Sequence, residues 1–419
     1  MIFGIIGENV SKSFTKDIHD VLSSHPYSLA SFGKDYLDEF FQEKDFVGIN
    51  IARPYKTEVM RYLDDVHPNA KAIGCVNTIV NTKEKGLVGY NTDYDSLEYL
   101  IRYHKIHIKG KTVAVIGCGA TSRTVSKLLE DLKVKQVYYV SAHKERHVGA
   151  IGIEELYSIK KIDVIINTTP VGEAPNYDES LVQLSKMRSL NKIKCVIDFV
   201  YNPINTRLIA TAKLHHIKAY GGLELLSAQS FYSSQIFVKR EYQEVLINEI
   251  YMNIAKKMAN LVIIGFNYEG KKNLCKLVAS RLNKDFIDID EKIEEGEGKS
   301  PAEIIKTIGE ENYREIESKY IDEYYKMNNA VILCGGGVPT RSENMVKLRQ
   351  NGIICNVRCD EEDVVFLDLH PVSREAKEDV YARRYDMYAK YQTFEFDNND
   401  SLAEAAKSME EQFYENLGR

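Results

Sequence analysis

The sequence predicts an α/β fold built on parallel sheets, and three observations carry that expectation. Short β-branched runs alternate with stretches of i, i+3, i+4 apolar spacing along almost the whole chain. Two strand–glycine–helix units, KTVAVIGCGATSRTV from Lys111 and NLVIIGFNYEGKKNL from Asn260, each open what reads as a fresh sheet. The length is 419 residues, and at roughly 100–200 residues per domain it accommodates about two to four domains, each with its own core.

In chain order, the first strand candidates are Met1–Ile6, Thr112–Ile116, Gln136–Val140, Val164–Asn167 and Cys195–Phe199. A further set follows at Leu261–Ile264, Phe286–Asp288, Ala330–Cys334 and Ile353–Val357. Between the sets, Ser227–Lys257 reads as mostly helical and ends in the lysine-rich IAKKMAN, which places the major boundary at about residue 256. The charge changes there too. Residues 257–419 carry 23 Lys+Arg against 32 Asp+Glu, a net of −9, whereas the preceding part stands at +3 within a whole-chain net of −6. This balance suits neither a disordered chain nor a polybasic nucleic-acid surface. The seven cysteines include one close pair, Cys355 and Cys359, with no second cluster to complete a zinc site, so buried reduced thiols are expected. The opening MIFGIIGENVSKSFT has no basic leader, and no apolar run approaches a membrane span, so the expected location is the cytoplasm.

The first glycine turn is Gly117-Cys118-Gly119-Ala120-Thr121-Ser122. Glycine lets the backbone turn tightly, so that amides at the helix N-terminus face a pyrophosphate, and the small Ser122 stands at the third glycine position. The next strand ends without the acid that binds a 2′-hydroxyl. His143, Lys144 and Arg146 follow it instead, a chemistry suited to the 2′-phosphate of NADP, although a solvated basic loop has the same composition.

Around this turn the first 255 or so residues resemble shikimate dehydrogenase. The resemblance rests on separated motifs: GENVSKSFTKDIH at Gly7–His19, NIARPYK at Asn50–Lys56, CVNT at Cys75–Thr78, GYNTD at Gly89–Asp93, NTTPVG at Asn167–Gly172, DFVYNP at Asp198–Pro203, and LLSAQ at Leu225–Gln229. It implies a two-lobed fold with a Rossmann NADP(H) domain, and Lys56 and Asp93 as the catalytic pair. It also implies Ser13, Thr15, Asn77, Thr92, Tyr201 and Gln229 as substrate contacts. The cofactor contacts expected are Gly117, Gly119, Ala120, Thr121 and Ser122 at the glycine turn, His143, Lys144 and Arg146 from the basic stretch after the second strand, and Thr168 and Gly222. The chemistry of these residue types agrees. Hydride arriving at a ketone carbon creates an alkoxide, which a lysine can protonate while an aspartate orients it. Taken singly, Asp93 reads equally well as a helix N-cap. Three departures from the family pattern are Ala52 for threonine, Ala142 for arginine, and Glu173 for methionine, the last placing a negative charge beside the nicotinamide position.

The second turn, Gly265-Phe266-Asn267-Tyr268-Glu269-Gly270-Lys271-Lys272, has the skeleton of a P-loop. Lys272 occupies the place of the Mg²⁺-binding hydroxyl. From about residue 259 onward the chain nevertheless resembles shikimate kinase, through FIDID at Phe286–Asp290, GKSPAEII at Gly298–Ile305, YREIE at Tyr313–Glu317, CGGGV at Cys334–Val338, and Arg384 with Tyr388. The resemblance implies Gly265, Gly270, Lys271 and Lys272 on the nucleotide, Asp288 near Mg²⁺, and Asp290, Arg314, Gly335, Gly336, Gly337 and Arg384 on shikimate. The lid position reads His370-Pro371-Val372-Ser373, without the family's arginine.

The expected organisation is a substrate lobe at 1–100 completed by helices at 235–256, a Rossmann lobe at 101–234, and a P-loop kinase-like domain at 257–419. The expected activity is NADPH-dependent reduction of 3-dehydroshikimate to shikimate. A second half that phosphorylates shikimate with ATP and Mg²⁺, and one retained as a shikimate-binding, regulatory or oligomerisation module, both stand open, as does a preference of the first half for quinate. The expected partners are small molecules, with no nucleic acid and no membrane, and a homodimer is an open option.

Overall fold

The computed structural model describes residues 2–11, 13–22, 25–266, 270–358, 374–397 and 401–417. It divides into two compact units, Met1–Asn202 with His215–Ile254, and Pro203–Leu214 with Ala255–Arg419.

The first unit holds two sheets. One is formed by β1 (Phe3–Gly7), β2 (Tyr27–Ser31), β3 (Gly48–Ile51), β4 (Asp65–Val66), β5 (Thr78–Thr82) and β6 (Gly86–Tyr90), in the order β2-β1-β3-β5-β6-β4. Only β5 runs antiparallel, against both β3 and β6. Strand side chains alternate between faces, and here both faces are covered. Ile6, Ile49, Ile79 and Leu87 join one apolar cluster, while Phe3, Ile5, Val80 and Val88 join another.

The other sheet is fully parallel: β7 (Thr112–Ile116), β8 (Gln136–Val140), β9 (Val164–Asn167), β10 (Cys195–Asp198) and β11 (Lys218–Tyr220), in the order β11-β10-β9-β7-β8. Strand order reverses between β7 and β9, the crevice where ligands bind in open α/β sheets. Two helices tie the sheets together. Tyr94, Leu97 and Leu100 of Thr92–Tyr103 pack into the core of the parallel sheet. The helix Gly222–Val238 places Leu225 in that same core and Phe237 in the core of the first sheet.

The second unit carries a third, parallel sheet of β12 (Asn260–Ile264), β13 (Asp285–Asp288), β14 (Ala330–Leu333), β15 (Gly352–Val357) and β16 (Phe394–Phe396), in the order β13-β14-β12-β15-β16. The segment connecting β10 to β11 belongs to this unit. Ile204 and Asn205 donate backbone hydrogen bonds to Asn351 Oδ1 (3.0 Å) and Gln350 O (2.8 Å), and Arg207 pairs with Glu343.

All nine strands anticipated from the sequence are present, with ends moved by one or two residues. Six cysteines among the described residues are free, and five of these are buried; Cys359 lies outside the described residues, as do Tyr268, Glu269 and the lid residues His370–Ser373. Among the described residues no helix is long and apolar enough to cross a membrane.

Candidate active site

The ends of β1, β3 and β6 and the start of β5 lie at one edge of the first sheet, because β5 runs the opposite way. Lys56 lies five residues after the end of β3, Asn77 immediately precedes β5, and Asp93 follows β6 by three residues. Their side chains meet. Lys56 Nζ lies 2.5 Å from Asp93 Oδ2, and Asn77 Nδ2 donates to Asp93 Oδ1 at 2.9 Å. Asp93 is buried and the Lys56 side chain is 14% exposed. Asp93 does not cap its helix. That role falls to Asn91, whose side chain accepts from Tyr94 N, leaving the Asp93 carboxylate facing the lysine.

A buried polar network fixes this pair. Asn77 Oδ1 accepts from Thr92 N at 2.8 Å and from the Thr92 hydroxyl at 3.2 Å. Thr78 Oγ1 accepts from Asn50 Nδ2 at 3.1 Å, and Tyr27 Oη donates to Asn50 Oδ1 at 2.6 Å. Behind Tyr27, His19 stacks with ring centroids 4.1 Å apart. Burial holds the His19 imidazole neutral, its pKa lowered to about 3. Ser13 and Thr15 share a hydroxyl–hydroxyl contact of 2.6 Å, and Tyr201 hydrogen-bonds Ser13. Gln229 is half-buried on the helix Gly222–Val238, and among the described residues no hydrogen bond ties it to either group.

The glycine turn stands at the end of β7, beside the end of β9. Gly117 has φ +105°, and a Cβ there would meet Thr168 Oγ1 at 2.7 Å and Thr169 Cγ2 at 2.9 Å. Thr168 is fixed by hydrogen bonds from its amide and hydroxyl to Ile116 O. Gly119 caps the helix Ala120–Asp131 with nothing within 4 Å of its Cβ position, so an anion has room at the helix N-terminus. Thr121 sits in the first turn of that helix, and Ser122 Oγ donates to Gly119 O. His143, Lys144 and Arg146 are all exposed after β8; Lys144 pairs with Glu155 at 2.9 Å, and Arg146 lies 3.8 Å from Glu145. Gly222 begins the helix Gly222–Val238, its amide engaged by Val200 O.

One contact within this unit, between the segment after β3 and the segment after β9, has no signal in the sequence. Arg53 pairs with Glu173 at 2.6 Å, so the negative charge beside the end of β9 is compensated. A cavity of about 650 Å³ lies at the opposite, N-terminal ends of β7, β9, β10 and β11, near Lys111, Asp163, Lys194 and Lys218, and is not part of this site.

Comparison with known proteins assigns the unit. A shikimate dehydrogenase (NADP(+)) of Clostridium perfringens (strain SM101 / Type A) is 33% identical over 252 residues, covering 56% of this chain and 92% of that protein. The chain belongs to the shikimate dehydrogenase family. The model of the shikimate dehydrogenase substrate binding domain matches residues 5–79 of this family member. Among solved structures, a chorismate mutase/shikimate 5-dehydrogenase fusion protein from Clostridium acetobutylicum is similar at 30% identity and a TM-score of 0.56, over 60% of this chain and 96% of that one. A shikimate dehydrogenase solved in complex with NADP+ is similar at 26% identity and a TM-score of 0.51, over 60% of this chain and 95% of that one.

Beyond the dehydrogenase portion, the shikimate kinase model matches residues 269–414. In this second unit Gly265 (φ +117°) and Gly270 bracket the P-loop, and Lys271 is buried, donating to Gly265 O at 3.0 Å. Burial lowers the pKa of Lys271. Lys272 turns elsewhere, to Asp288 Oδ2 at 2.8 Å and to Glu291. The glycine loop after β14 packs onto the anticipated pocket residues. A Cβ on Gly335 would meet Asp290, one on Gly337 would meet Arg314, and the Tyr388 hydroxyl donates to Gly336 O at 2.6 Å. Sequence reasoning missed Glu310. Its carboxylate lies 2.9 Å from Arg314 and 3.6 Å from Arg384, so the two arginines converge on one carboxylate. The i, i+4 spacing from Arg314 was the available signal.

Proposed function

We propose that the first unit reduces 3-dehydroshikimate to shikimate with NADPH, Lys56 and Asp93 being the catalytic pair. The observation that carries this reading is the buried contact between the Lys56 ammonium and the Asp93 carboxylate, locked by Asn77 at the edge of the first sheet. When bound, the nicotinamide supplies the hydride. The chain supplies the rest. Lys56 Nζ holds the proton that the new alkoxide oxygen receives, and its charge stabilises that oxygen beforehand. Asp93 keeps the ammonium aimed and accepts a hydrogen bond from a ring hydroxyl of the substrate. Ser13 and Thr15, already sharing a hydrogen bond, offer paired hydroxyls to the substrate carboxylate, with Tyr201 beside them. Asn77, Thr92 and Gln229 complete the polar wall.

The residues present fit a dinucleotide. The open space at Gly119 and the tight backbone at Gly117 suit a pyrophosphate, while Ala120, Thr121 and Ser122 form the helix start beneath it. Thr168 lies beside the nicotinamide end, Gly222 closes the far side, and His143, Lys144 and Arg146 offer positive charge to a 2′-phosphate. In this reading residues 1–100 with 235–256 form the substrate lobe, 101–234 the cofactor lobe, and 257–419 the kinase-like domain. The test is to mix the protein with shikimate and NADP+ and follow absorbance of the reduced cofactor. Absence of a shikimate-dependent signal overturns the reading.

For the second unit we propose a shikimate-binding role, with Asp290 on the ring hydroxyls, Arg314 and Arg384 on the carboxylate, and Gly335, Gly336 and Gly337 beneath the ring. The convergence of both arginines on the Glu310 carboxylate supports it, because that carboxylate stands as a ligand's would. The test is a calorimetric titration with shikimate that separates this site by its loss in Arg314→Ala.

A further inference from the structure

We propose that the second unit has replaced its divalent metal with the ammonium of Lys272 and holds its anionic ligands without Mg²⁺. In a P-loop the residue after the lysine presents a hydroxyl to the metal, and a lysine has donors only, with no lone pair for a cation. The structure shows what this lysine does instead. Its Nζ lies 2.8 Å from Asp288 Oδ2 and also pairs with Glu291. Asp288 is 7% exposed and is the acid at the end of β13 that would face the ion. Its other oxygen, Oδ1, caps the helix Ile289–Glu297 by accepting from Asp290 N at 3.0 Å and Glu291 N at 3.4 Å. Both carboxylate oxygens therefore have protein partners, and the residues present do not fit a divalent metal.

The two adjacent lysines have separate tasks. Lys271 donates to the carbonyls of Gly265 and Phe266 within the loop, whereas Lys272 reaches across to β13 and the helix after it. Lys272 is thus not a duplicate of the phosphate lysine. Burial opposes its charge, but the hydrogen bonds to Asp288 and Glu291 outweigh that cost and raise its pKa, so the ammonium stays charged. One fixed charge now neutralises one of the two carboxylates that would otherwise draw a divalent ion, and the ion that bridges phosphate oxygens in metal-dependent phosphoryl transfer has no carboxylate left to hold it. A ligand entering this site meets a cation that belongs to the fold.

This inference rests on the shikimate-binding reading of the unit only for the identity of the neighbouring ligand, and the experiment separates the two. Mn²⁺ with ATP is titrated into the full chain and bound Mn²⁺ is read by electron paramagnetic resonance, while shikimate binding is followed by calorimetry in the presence of a chelator. The wild-type chain is expected to leave the Mn²⁺–ATP spectrum unchanged. Lys272→Ser is expected to take up one Mn²⁺ per chain with at least 10-fold higher affinity, and Lys272→Ser with Asp288→Asn to lose it again, all three remaining folded by circular dichroism. Wild-type uptake of Mn²⁺–ATP that Asp288→Asn abolishes overturns the replacement, and so does a Lys272→Ser variant that gains no Mn²⁺. Loss of the Arg314-dependent shikimate site in chelator, with the Mn²⁺ results as expected, overturns the shikimate reading and leaves the replacement standing.

Discussion

Replacing Lys56 with methionine removes the ammonium and keeps most of the side-chain volume. The wild-type pair is 2.5 Å apart and largely shielded, the side chains being 14% and 8% exposed. General acid–base groups contribute about 10²–10⁴ in rate, and at about 1.4 kcal/mol per decade this is roughly 3–5 kcal/mol of barrier. The expected result for Lys56→Met is therefore a kcat lower by about 10²–10⁴ for shikimate oxidation with NADP+. KM for shikimate should move by no more than about threefold, because Ser13, Thr15 and Tyr201 form a separate hydrogen-bonded group. The variant also leaves the Asp93 carboxylate buried with only the Asn77 amide. Breaking a buried pair costs about 3–5 kcal/mol, and the retained amide favours the lower figure. For a unit of this size, about 3 kcal/mol corresponds to a fall in Tm of roughly 6–12 °C. Steady-state kinetics and calorimetric melting read the two effects independently. Asp93→Asn combined with Lys56→Met should be no slower than Lys56→Met alone within about threefold, since groups acting as a unit are not additive. A folded Lys56→Met enzyme with kcat within about tenfold of wild type refutes the assignment.

The remaining expectations concern stability and cofactor choice. His19 accepts a proton near pH 6.5 in the unfolded chain but only at about 3 when folded, so its contribution is full above pH 6.5 and declines as pH falls from 6.5 towards 3. At pH 5 the decline is about 2 kcal/mol, and the difference in Tm between pH 7.5 and 5 should be several degrees smaller in His19→Phe. Gly117→Ala forces an L residue into φ +105° with its Cβ 2.7 Å from Thr168 Oγ1; KM for NADP+ should rise at least about tenfold, on the scale of an unfavourable backbone placement of 1–3 kcal/mol. Lys144→Ala with Arg146→Ala should raise KM for NADP+ by about tenfold and leave that for NAD+ unchanged, since a charge-assisted contact contributes about 1.5–3 kcal/mol; equal changes for both cofactors refute the 2′-phosphate role.

What was legible in the sequence follows the physics of burial. Strands buried along their whole length, such as β7, β9 and β12, carry unbroken apolar runs, and these were anticipated almost to the residue. The edge strands β2 and β11 alternate irregularly because one side faces water, and β16 spans only three residues, so periodicity could not mark them. Strands β3, β5 and β6 lie within the substrate motifs, where polar residues break the apolar pattern. The site shows the same division. Side-chain identities could be read along the chain, but partners distant in sequence could not. Glu173 reads as an uncompensated charge until Arg53, 120 positions earlier, is seen beside it. Lys272 reads only as a residue standing in place of a metal-binding hydroxyl, and the position of β13 shows that it has a carboxylate of its own.

The segment Pro203–Leu214 belongs to the second unit while the chain before and after it belongs to the first. The polypeptide therefore passes between the units three times rather than once. Two independently inherited modules joined end to end would part at a single cut, and this molecule would not. A fragment starting at residue 255 leaves the Arg207–Glu343 pair and the Asn205–Gln350 hydrogen bond behind, and a fragment ending at 254 carries a helix stripped of those partners. Truncation experiments on either unit would thus measure an injured half, and the informative dissection is by point substitution in the intact chain.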